Sequence, residues 1–252
     1  MKKVLLVTLT AFALLVAPRN VWAEDKLTAE QILDKMDERI NGNDDSEMDV
    51  RITAYKKNGD SKSYTFNIKQ KGKQKRLIRF NSGEIKGMSI LTENQNRVYV
   101  YLPGYKKVRR VASHNMNQAL VGSQLTNADM ATSSYTEVFT ATIEKEDDAF
   151  WLLRLIPKDM DEATYGSLLM KVGKEKFSLL GIDYFDKKGT LVKQFVPDKL
   201  KKFDGVDEEW HTFLKYVDVQ SGDWTTLEVL SLKLNQGLKK SLFTTRQLQW
   251  GR

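Results

Sequence analysis

The feature that most constrains the fold is a succession of short, β-rich segments separated by tight polar turns. Turn signals with Gly, Asn, Asp or Lys follow these segments at residues 57–60, 71–73, 81–83, 186–189 and 221–223. Segments joined this tightly pair as antiparallel neighbours. No alternation of strands with long helices, which would indicate a parallel sheet, is present. The sequence therefore predicts a mainly β chain with a few helices, of the α+β class, built on an antiparallel meander.

The N-terminus has the pattern of an export signal. Lys2 and Lys3 precede an apolar run at residues 4–16, and residues 21–23 place small side chains at a cleavage site. The run is shorter than the about 20 residues that span a bilayer. An uncleaved anchor is the alternative, but Arg19 interrupts the apolar segment. We predict a cleavable signal peptide at residues 1–23 and a soluble periplasmic protein at residues 24–252, forming one domain.

One amphipathic helix is predicted at the start of the mature chain. Thr28 and Gln31 have the spacing of a capping box. Ile32, Met36 and Ile40 then recur every four residues and share one helix face. The helix is expected to end near the following Asn-Gly pair and to lie on an apolar sheet.

A second helical region interrupts the strands between residues 112 and 134. Met116 and Leu120 are four residues apart, Gly122 is a candidate C-terminal cap, and Thr126 with Asp129 resembles a second capping box. The pattern predicts one or two short helices inserted between strands. We interpret residues 113–131 as a lid over the sheet, and a plain packed connector is an equally good interpretation.

Residues that would support catalysis are scarce. The chain has no cysteine, and its two histidines, His114 and His211, stand in no metal-binding spacing. Ser123 follows Gly122 but lacks the remaining residues of a nucleophile elbow. Neither a phosphate-binding loop nor a nucleic-acid motif is present. We therefore predict a protein that is not an enzyme, with no cofactor, no metal and no nucleic-acid partner.

The charge pattern is mildly basic. The formal net charge of +7 falls to +4 without residues 1–23, which carry three positive charges and no negative ones. Such a surplus favours contact with anionic head groups or an acidic partner. Ordinary solubility, with lysines on solvent faces, is the simpler interpretation.

Several segments carry large apolar residues at both odd and even positions, so both faces of a sheet would contact apolar groups. If the sheet curls into an open barrel, its inner face forms a cavity, and methionines there adapt to a flexible ligand. A core filled by its own side chains is the alternative, and periodicity alone favours it slightly. The candidate ligand-binding residues are Met88, Ile90, Val98, Val100, Leu102, Met116, Leu120, Leu125 and Met130.

Three blocks of the sequence resemble a known family. They are residues 83–91 (GEIKGMSIL), 98–113 (VYVYLPGYKKVRRVAS) and 122–130 (GSQLTNADM), with looser similarity at 184–193 and 242–248. Together they resemble outer-membrane lipoprotein-sorting proteins of the LolA-like superfamily, in the branch associated with resistance-nodulation-division type exporters.

The resemblance implies an unclosed antiparallel β-barrel, a half-barrel whose concave side is covered by helices and encloses a cavity for acyl chains. It further implies a periplasmic carrier that moves a lipoprotein or lipid toward the outer membrane, with only transient membrane contact. The alternative is an accessory protein that docks onto an inner-membrane exporter, with lipid binding incidental. An outer-membrane acceptor is a further expected partner.

The basic run at residues 106–110 lies within the second block, after its strand and before the predicted lid. We predict that Arg109 or Arg110 anchors the lid to the sheet and that the other basic side chains meet head groups or a partner. Asp129 is the predicted ionic partner of Arg109 or Arg110, because of its opposite charge and its place in the third block. A solvated strand edge is the alternative.

Overall fold

The computed structural model of the protein describes residues 26–132 and 134–249, and the backbone of residue 250. The predicted signal peptide at residues 1–23 lies outside these residues. Among the helices of this described part, none has the length and apolar character that crossing a membrane requires.

The described strands form one antiparallel sheet. They are β1 (Asp45–Tyr55), β2 (Ser61–Lys71), β3 (Lys75–Phe80), β4 (Ser89–Asn94), β5 (Arg97–Leu102), β6 (Lys107–Arg110), β7 (Phe139–Glu146), β8 (Phe150–Pro157), β9 (Ser167–Gly173), β10 (Leu179–Phe185), β11 (Leu191–Lys202), β12 (Glu209–Asp218) and β13 (Trp224–Leu234). Their order is β6-β5-β4-β3-β2-β1-β13-β12-β11-β10-β9-β8-β7. Every neighbour is thus consecutive in sequence except the pair β1 and β13, and β6 and β7 form the two unpaired edges. The prediction of an unclosed antiparallel half-barrel is confirmed.

Helix α1 (Ala29–Asn41) begins as predicted. The Thr28 hydroxyl accepts a hydrogen bond from the Gln31 backbone N–H at 3.2 Å, and the Gln31 side chain accepts one from the Thr28 N–H at 2.8 Å. Ile32 and Met36 are fully buried, while Ile40 is half-buried. The predicted helix and its capping box are therefore confirmed.

Two apolar clusters cover one face of the sheet, which we call the inner face. In the first, Leu33 and Met36 of α1 pack on strands β7–β11, for example against Leu153 and Met170. The second cluster lies on strands β1–β5 and includes Phe66. Leu214 and Tyr216 of β12 contact both clusters. Because these two residues contact both clusters, the clusters lie side by side on the same face of the sheet.

The described residues between β6 and β7, 111–132 and 134–138, cross this inner face from one edge of the sheet to the other. We call this part of the chain the covering segment. It contains a 3₁₀ turn (Ser113–Asn115) and two short helices, α2 (Asn127–Ala131) and α3 (Tyr135–Val138). The Thr126 and Asp129 capping box at α2 is present as predicted. The predicted lid residues 113–131 thus lie over the second cluster.

The helix predicted at Met116 and Leu120 is wrong. Val121 and Gly122 both have positive φ, 47° and 75°, and they turn the chain back on itself. The Leu120 N–H consequently donates to the Leu125 carbonyl at 2.7 Å, as in a small hairpin. A helix cannot continue through two residues with positive φ. Glycine adopts the positive φ at position 122 without steric cost.

The opposite face of strands β3–β6 is covered by the C-terminal part of the chain. Phe243 and Leu248 of the region around helix α4 (Thr245–Trp250) pack on Leu77 and Leu91. Asp45 fixes the start of this tail, because its carboxylate accepts the backbone N–H groups of residues 236 and 238 at 2.7 and 2.8 Å. Both faces of this part of the sheet are therefore covered.

Candidate ligand-binding site

The nine apolar residues predicted to bind a ligand lie in one cluster, the second cluster of the inner face. Ile90, Val98, Val100 and Leu102 come from the sheet, and Met88 comes from the loop immediately before β4. Met116, Leu120, Leu125 and Met130 come from the covering segment. Val100, Leu102 and Met116 are partly buried and the others are buried. In this closed arrangement the two groups pack against each other. Their role in binding a ligand stays a prediction.

An open cavity lies beside that cluster. This cavity of about 240 Å³ sits where the covering segment, strands β7 and β8 and the loop at residues 158–166 meet. Of the nine predicted residues, only Met116 lines it. Ligand pockets for drug-sized molecules have volumes of about 300–1,000 Å³. The cavity is therefore too small for a long acyl chain unless the covering segment moves.

Four tyrosines form the inner wall of the cavity. They are Tyr135, Tyr165, Tyr184 and Tyr216, which come from α3, the loop before β9, β10 and β12. The rings of Tyr165 and Tyr184 are in contact, with centroids 4.9 Å apart. The wall is thus apolar over the ring faces and carries hydroxyl groups at its ends.

A buried ammonium group lies behind this wall. Lys193 of β11 is 5 % exposed, and its Nζ lies 4.3 Å from the ring centroid of Tyr184, 4.7 Å from that of Tyr165 and 5.9 Å from that of Tyr216. Nζ also forms a short hydrogen bond to the Tyr165 hydroxyl. Aromatic faces attract a cation at such distances, most strongly where water is excluded.

Asp129 of the covering segment supplies the negative charge. Its Oδ2 lies 2.5 Å from Lys193 Nζ, and the side chains are 8 % and 6 % exposed. The same oxygen accepts the Thr126 backbone N–H at 2.7 Å, which closes the capping box. Tyr165 donates to this carboxylate from 3.3 Å. One carboxylate thus completes the capping box of α2 and ties the covering segment to the sheet.

The predicted pairing of Asp129 with Arg109 or Arg110 is wrong. Both arginines are exposed on the edge strand β6, and Arg110 donates to the Asn96 carbonyl at 3.0 Å. The covering segment leaves β6 and carries Asp129 across the sheet to β11, where Lys193 meets it. Contact of Arg109 and Arg110 with head groups stays a prediction.

The covering segment is held at two further points. Asp37 of α1 is fully buried and accepts hydrogen bonds from the Ser134 hydroxyl at 2.7 Å and from the backbone N–H groups of Tyr135 and Thr136 at 3.0 and 2.8 Å. Arg76 of β3 donates to the Met130 carbonyl at 2.9 Å. The start of α3 and the end of α2 are therefore fixed by side chains from other elements.

Burial sets the ionisation of the tyrosine wall. It raises the pKa of the hydroxyl groups of Tyr135, Tyr165, Tyr184 and Tyr216, and the Asp129 charge adds to this effect. Burial lowers the pKa of Lys193, and Asp129 opposes that change. The four hydroxyls therefore remain protonated at neutral pH.

These shifts predict a loss of stability in alkali. A tyrosine whose pKa is raised in the folded state stabilises that state fully below the ordinary value of 10.0, and this contribution is lost as the pH rises further. The lowered pKa of Lys193 makes the folded state more stable as the pH rises, but this is one group against the four tyrosines. We expect the free energy of unfolding to fall steadily above about pH 10, measured by denaturant titration alongside tyrosinate absorbance.

Tyr184→Phe should remove a tyrosinate signal that appears only on unfolding. Tyr105→Phe, at a side chain that is 72 % exposed, is the control for the substitution itself and should leave the free energy of unfolding at neutral pH unchanged. Reversible ionisation of all tyrosines before any unfolding would contradict the expected protection.

Lys193 and the tyrosine wall were not identified from the sequence. The feature that could have identified Lys193 is its position in β11, where inward and outward side chains alternate. Lys193 and Phe195 are buried, while Val196 is exposed. A lysine at an inward position of a strand is unusual, because a buried charge requires a partner. In the described part of the chain, no group of three or more side chains has the arrangement of a metal site.

A family model described as an uncharacterized protein matches residues 72–250, well over half of the chain. The chain belongs to that family. The matched residues of the family run from the β2–β3 turn to α4, so they include the covering segment, Lys193 and the tyrosine wall. No curated protein matches the sequence.

Solved structures similar to this member of the family show its fold. A domain described as an outer membrane lipoprotein-sorting protein from Vibrio parahaemolyticus aligns with a TM-score of 0.77 and 20 % identity, covering 88 % of this chain and 98 % of that one. A LolA superfamily protein from Nitrosomonas europaea aligns with a TM-score of 0.75 and 23 % identity, covering 88 % of this chain and 100 % of that one. A DUF1329 family protein from Desulfovibrio piger aligns with a TM-score of 0.78 and 22 % identity, covering 87 % of this chain and 97 % of that one. The fold is the LolA-like half-barrel.

Proposed function

We propose that the protein is a periplasmic carrier that binds the acyl chains of a lipid or lipoprotein on its inner face and moves them toward the outer membrane. In this proposal residues 1–23 are a cleaved export signal, residues 24–252 form one domain, and no reaction is catalysed. The observation that carries the proposal is the covering segment, which lies over a large apolar sheet face and borders a cavity. The LolA-like fold and its similarity to the lipoprotein-sorting domain from Vibrio parahaemolyticus support it.

The energetic need for such a site follows from the hydrophobic effect. At about 0.8 kcal/mol for each CH₂ removed from water, exposing one long acyl chain costs on the order of 10 kcal/mol. The cavity of about 240 Å³ provides only part of the required space. The remaining space would come from the second cluster, if the covering segment separates from the sheet and an acyl chain takes its place among the nine predicted residues. Acyl chains then replace protein side chains as the apolar partner.

The test is native mass spectrometry of the mature protein purified from its own periplasm, followed by lipid extraction. We expect a stoichiometric acyl-containing ligand. Ala163 lines the cavity, so Ala163→Trp should lower the occupied fraction at least several-fold by filling it. Ala149→Trp is the matched control, because Ala149 is exposed in the turn between β7 and β8.

A second pair of variants tests the predicted residues. Met88 or Val100 replaced by a charged residue should abolish ligand uptake in protein that remains folded, as judged by circular dichroism. A ligand-free mass, together with no uptake of added lipid or lipopeptide, would overturn the carrier proposal. The accessory protein of a resistance-nodulation-division type exporter, with a self-filled core, would then be the better candidate.

A further inference from the structure

The ion pair between Lys193 and Asp129 joins a strand of the sheet to the covering segment. Lys193 belongs to β11 in the middle of the sheet, whereas Asp129 belongs to the covering segment. If the covering segment opens to admit an acyl chain, the ammonium group loses its carboxylate. Removing one partner of a buried ion pair leaves an uncompensated charge, which is strongly unfavourable.

The surroundings of Lys193 already form a carboxylate-binding site. The Asp129 carboxylate is held by the Lys193 ammonium at 2.5 Å and by the Tyr165 hydroxyl at 3.3 Å, and both donors come from outside the covering segment. The Tyr184 and Tyr216 rings close the remaining sides of the ammonium group. When the segment leaves, Lys193 stays in β11 and Tyr165 stays in the loop before β9, so both donors are available to another anion.

The cavity leads to this site. Asp129, Tyr165, Tyr184 and Tyr216 line the cavity and also surround Lys193. An anionic group in the cavity therefore lies next to the position of the Asp129 carboxylate. The apolar second cluster begins on the other side, with Met116 lining the cavity and contacting that cluster. A ligand with an anionic end at Lys193 and an acyl chain toward Met116 matches these two groups, while Glu137, Asp159 and Glu162 line other parts of the cavity.

We propose that Lys193 and Tyr165 bind the anionic head group of an acyl-chain amphiphile, and that Asp129 occupies the head-group position while the protein is empty. The proposal rests on the carrier function proposed above and adds the chemical class of the ligand. The expected head group is a carboxylate, as in a fatty acid, because the site binds a carboxylate in the closed state. A phosphate offers the same anionic oxygens.

The experiment is competition against a fluorescent polyene fatty acid, with purified mature protein freed of lipid. Competitors are oleic acid, oleyl alcohol and an oleoyl lysophosphatidic acid. Oleic acid is expected to bind about tenfold or more tightly than oleyl alcohol, as one charge-assisted contact implies. Lys193→Met should bring the ratio of the two affinities close to one. Lys215→Met, on the exposed side of β12, is the matched control and should keep the ratio.

Asp129→Asn gives the complementary result. It removes the competing carboxylate and keeps an oxygen for the α2 cap, so the preference for the acid over the alcohol should increase. If Lys193→Met alone fails to fold, the double variant Lys193→Met with Asp129→Asn removes both charges and should likewise show a ratio near one.

The outcomes separate the two proposals. Tighter binding of the lysophosphatidic acid than of oleic acid, lost in Lys193→Met, would support an anion site of the phosphate type. Equal binding of acid and alcohol, unchanged by Lys193→Met, would overturn the head-group site and leave the carrier function standing. Failure of every acyl compound to compete or bind would overturn the carrier function itself.

Discussion

Replacing Asp129 by leucine is expected to lower the free energy of unfolding by about 3–5 kcal/mol, because the change leaves the Lys193 ammonium buried without its carboxylate. The two side chains are less than one-tenth exposed, so water does not replace the lost partner in the closed state. Loss of the reciprocal hydrogen bond from the Thr126 backbone N–H contributes about 1 kcal/mol of this effect. Urea denaturation followed by tryptophan fluorescence measures it.

A double-mutant cycle separates the two contributions. Adding Lys193→Met to Asp129→Leu should recover all but about 1 kcal/mol, since an apolar pair has no charge to desolvate. Asp129→Asn retains an acceptor for the Thr126 N–H and should be less harmful than leucine. A double variant that is less stable than Asp129→Leu alone would show that the ammonium is not the source of the instability.

Asp37→Ala is expected to cost at least about 3 kcal/mol of stability, because four donors of the covering segment lose their acceptor and each buried unsatisfied group costs about 1–3 kcal/mol. Those donors are the hydroxyl groups of Ser134 and Thr136 and the backbone N–H groups of Tyr135 and Thr136. Thermal unfolding of the variant measures the loss. Asp34→Ala is the matched control on the same helix, since Asp34 forms an exposed ion pair with Lys73 at 3.5 Å and should contribute less than about 1 kcal/mol.

The Asp37 variant should also change the cavity. Tyr135 and Val138 of α3 line it, so release of α3 should expose the covering segment to protease. We expect the first cleavage in limited proteolysis to fall within residues 111–138 in Asp37→Ala, and the Asp34→Ala pattern to match the unmodified protein. Equal cleavage in both variants would show that Asp37 does not hold the segment.

The parts of the structure that were predictable are those encoded within a few residues. The capping boxes at Thr28 and Thr126 each need a residue three positions later, and both are present. Tight turns likewise fixed the antiparallel neighbours within each half of the sheet. The hairpin at Val121 and Gly122 was missed, because positive φ at a β-branched residue such as valine is unfavourable and has no local sequence signal.

The contacts that were not predictable join residues far apart in the chain. Asp129 pairs with Lys193, which lies 64 positions later in the chain. Arg109 and Arg110 carry the same charge as Lys193 and lie closer to Asp129 in the sequence. The ionic partner of Asp129 depends on where the covering segment crosses the sheet. That path depends on the pairing of β1 with β13, which joins the two halves of the sheet. The position of the cavity beside the predicted cluster depends on the same long-range geometry. Inward-facing Lys193 was the one local clue.

The covering segment is attached to the sheet at both of its ends, one at β6 and the other at β7. Asp129 therefore stays close to Lys193 even after their contact breaks, at an effective concentration that for such short tethers is on the order of millimolar. A small soluble anion has to exceed that concentration to replace it. An amphiphile gains about 0.8 kcal/mol for each buried CH₂ and so competes at far lower concentrations. Abundant small anions would thus be excluded from the site because Asp129 is covalently attached close to Lys193, and not because of the shape of the pocket.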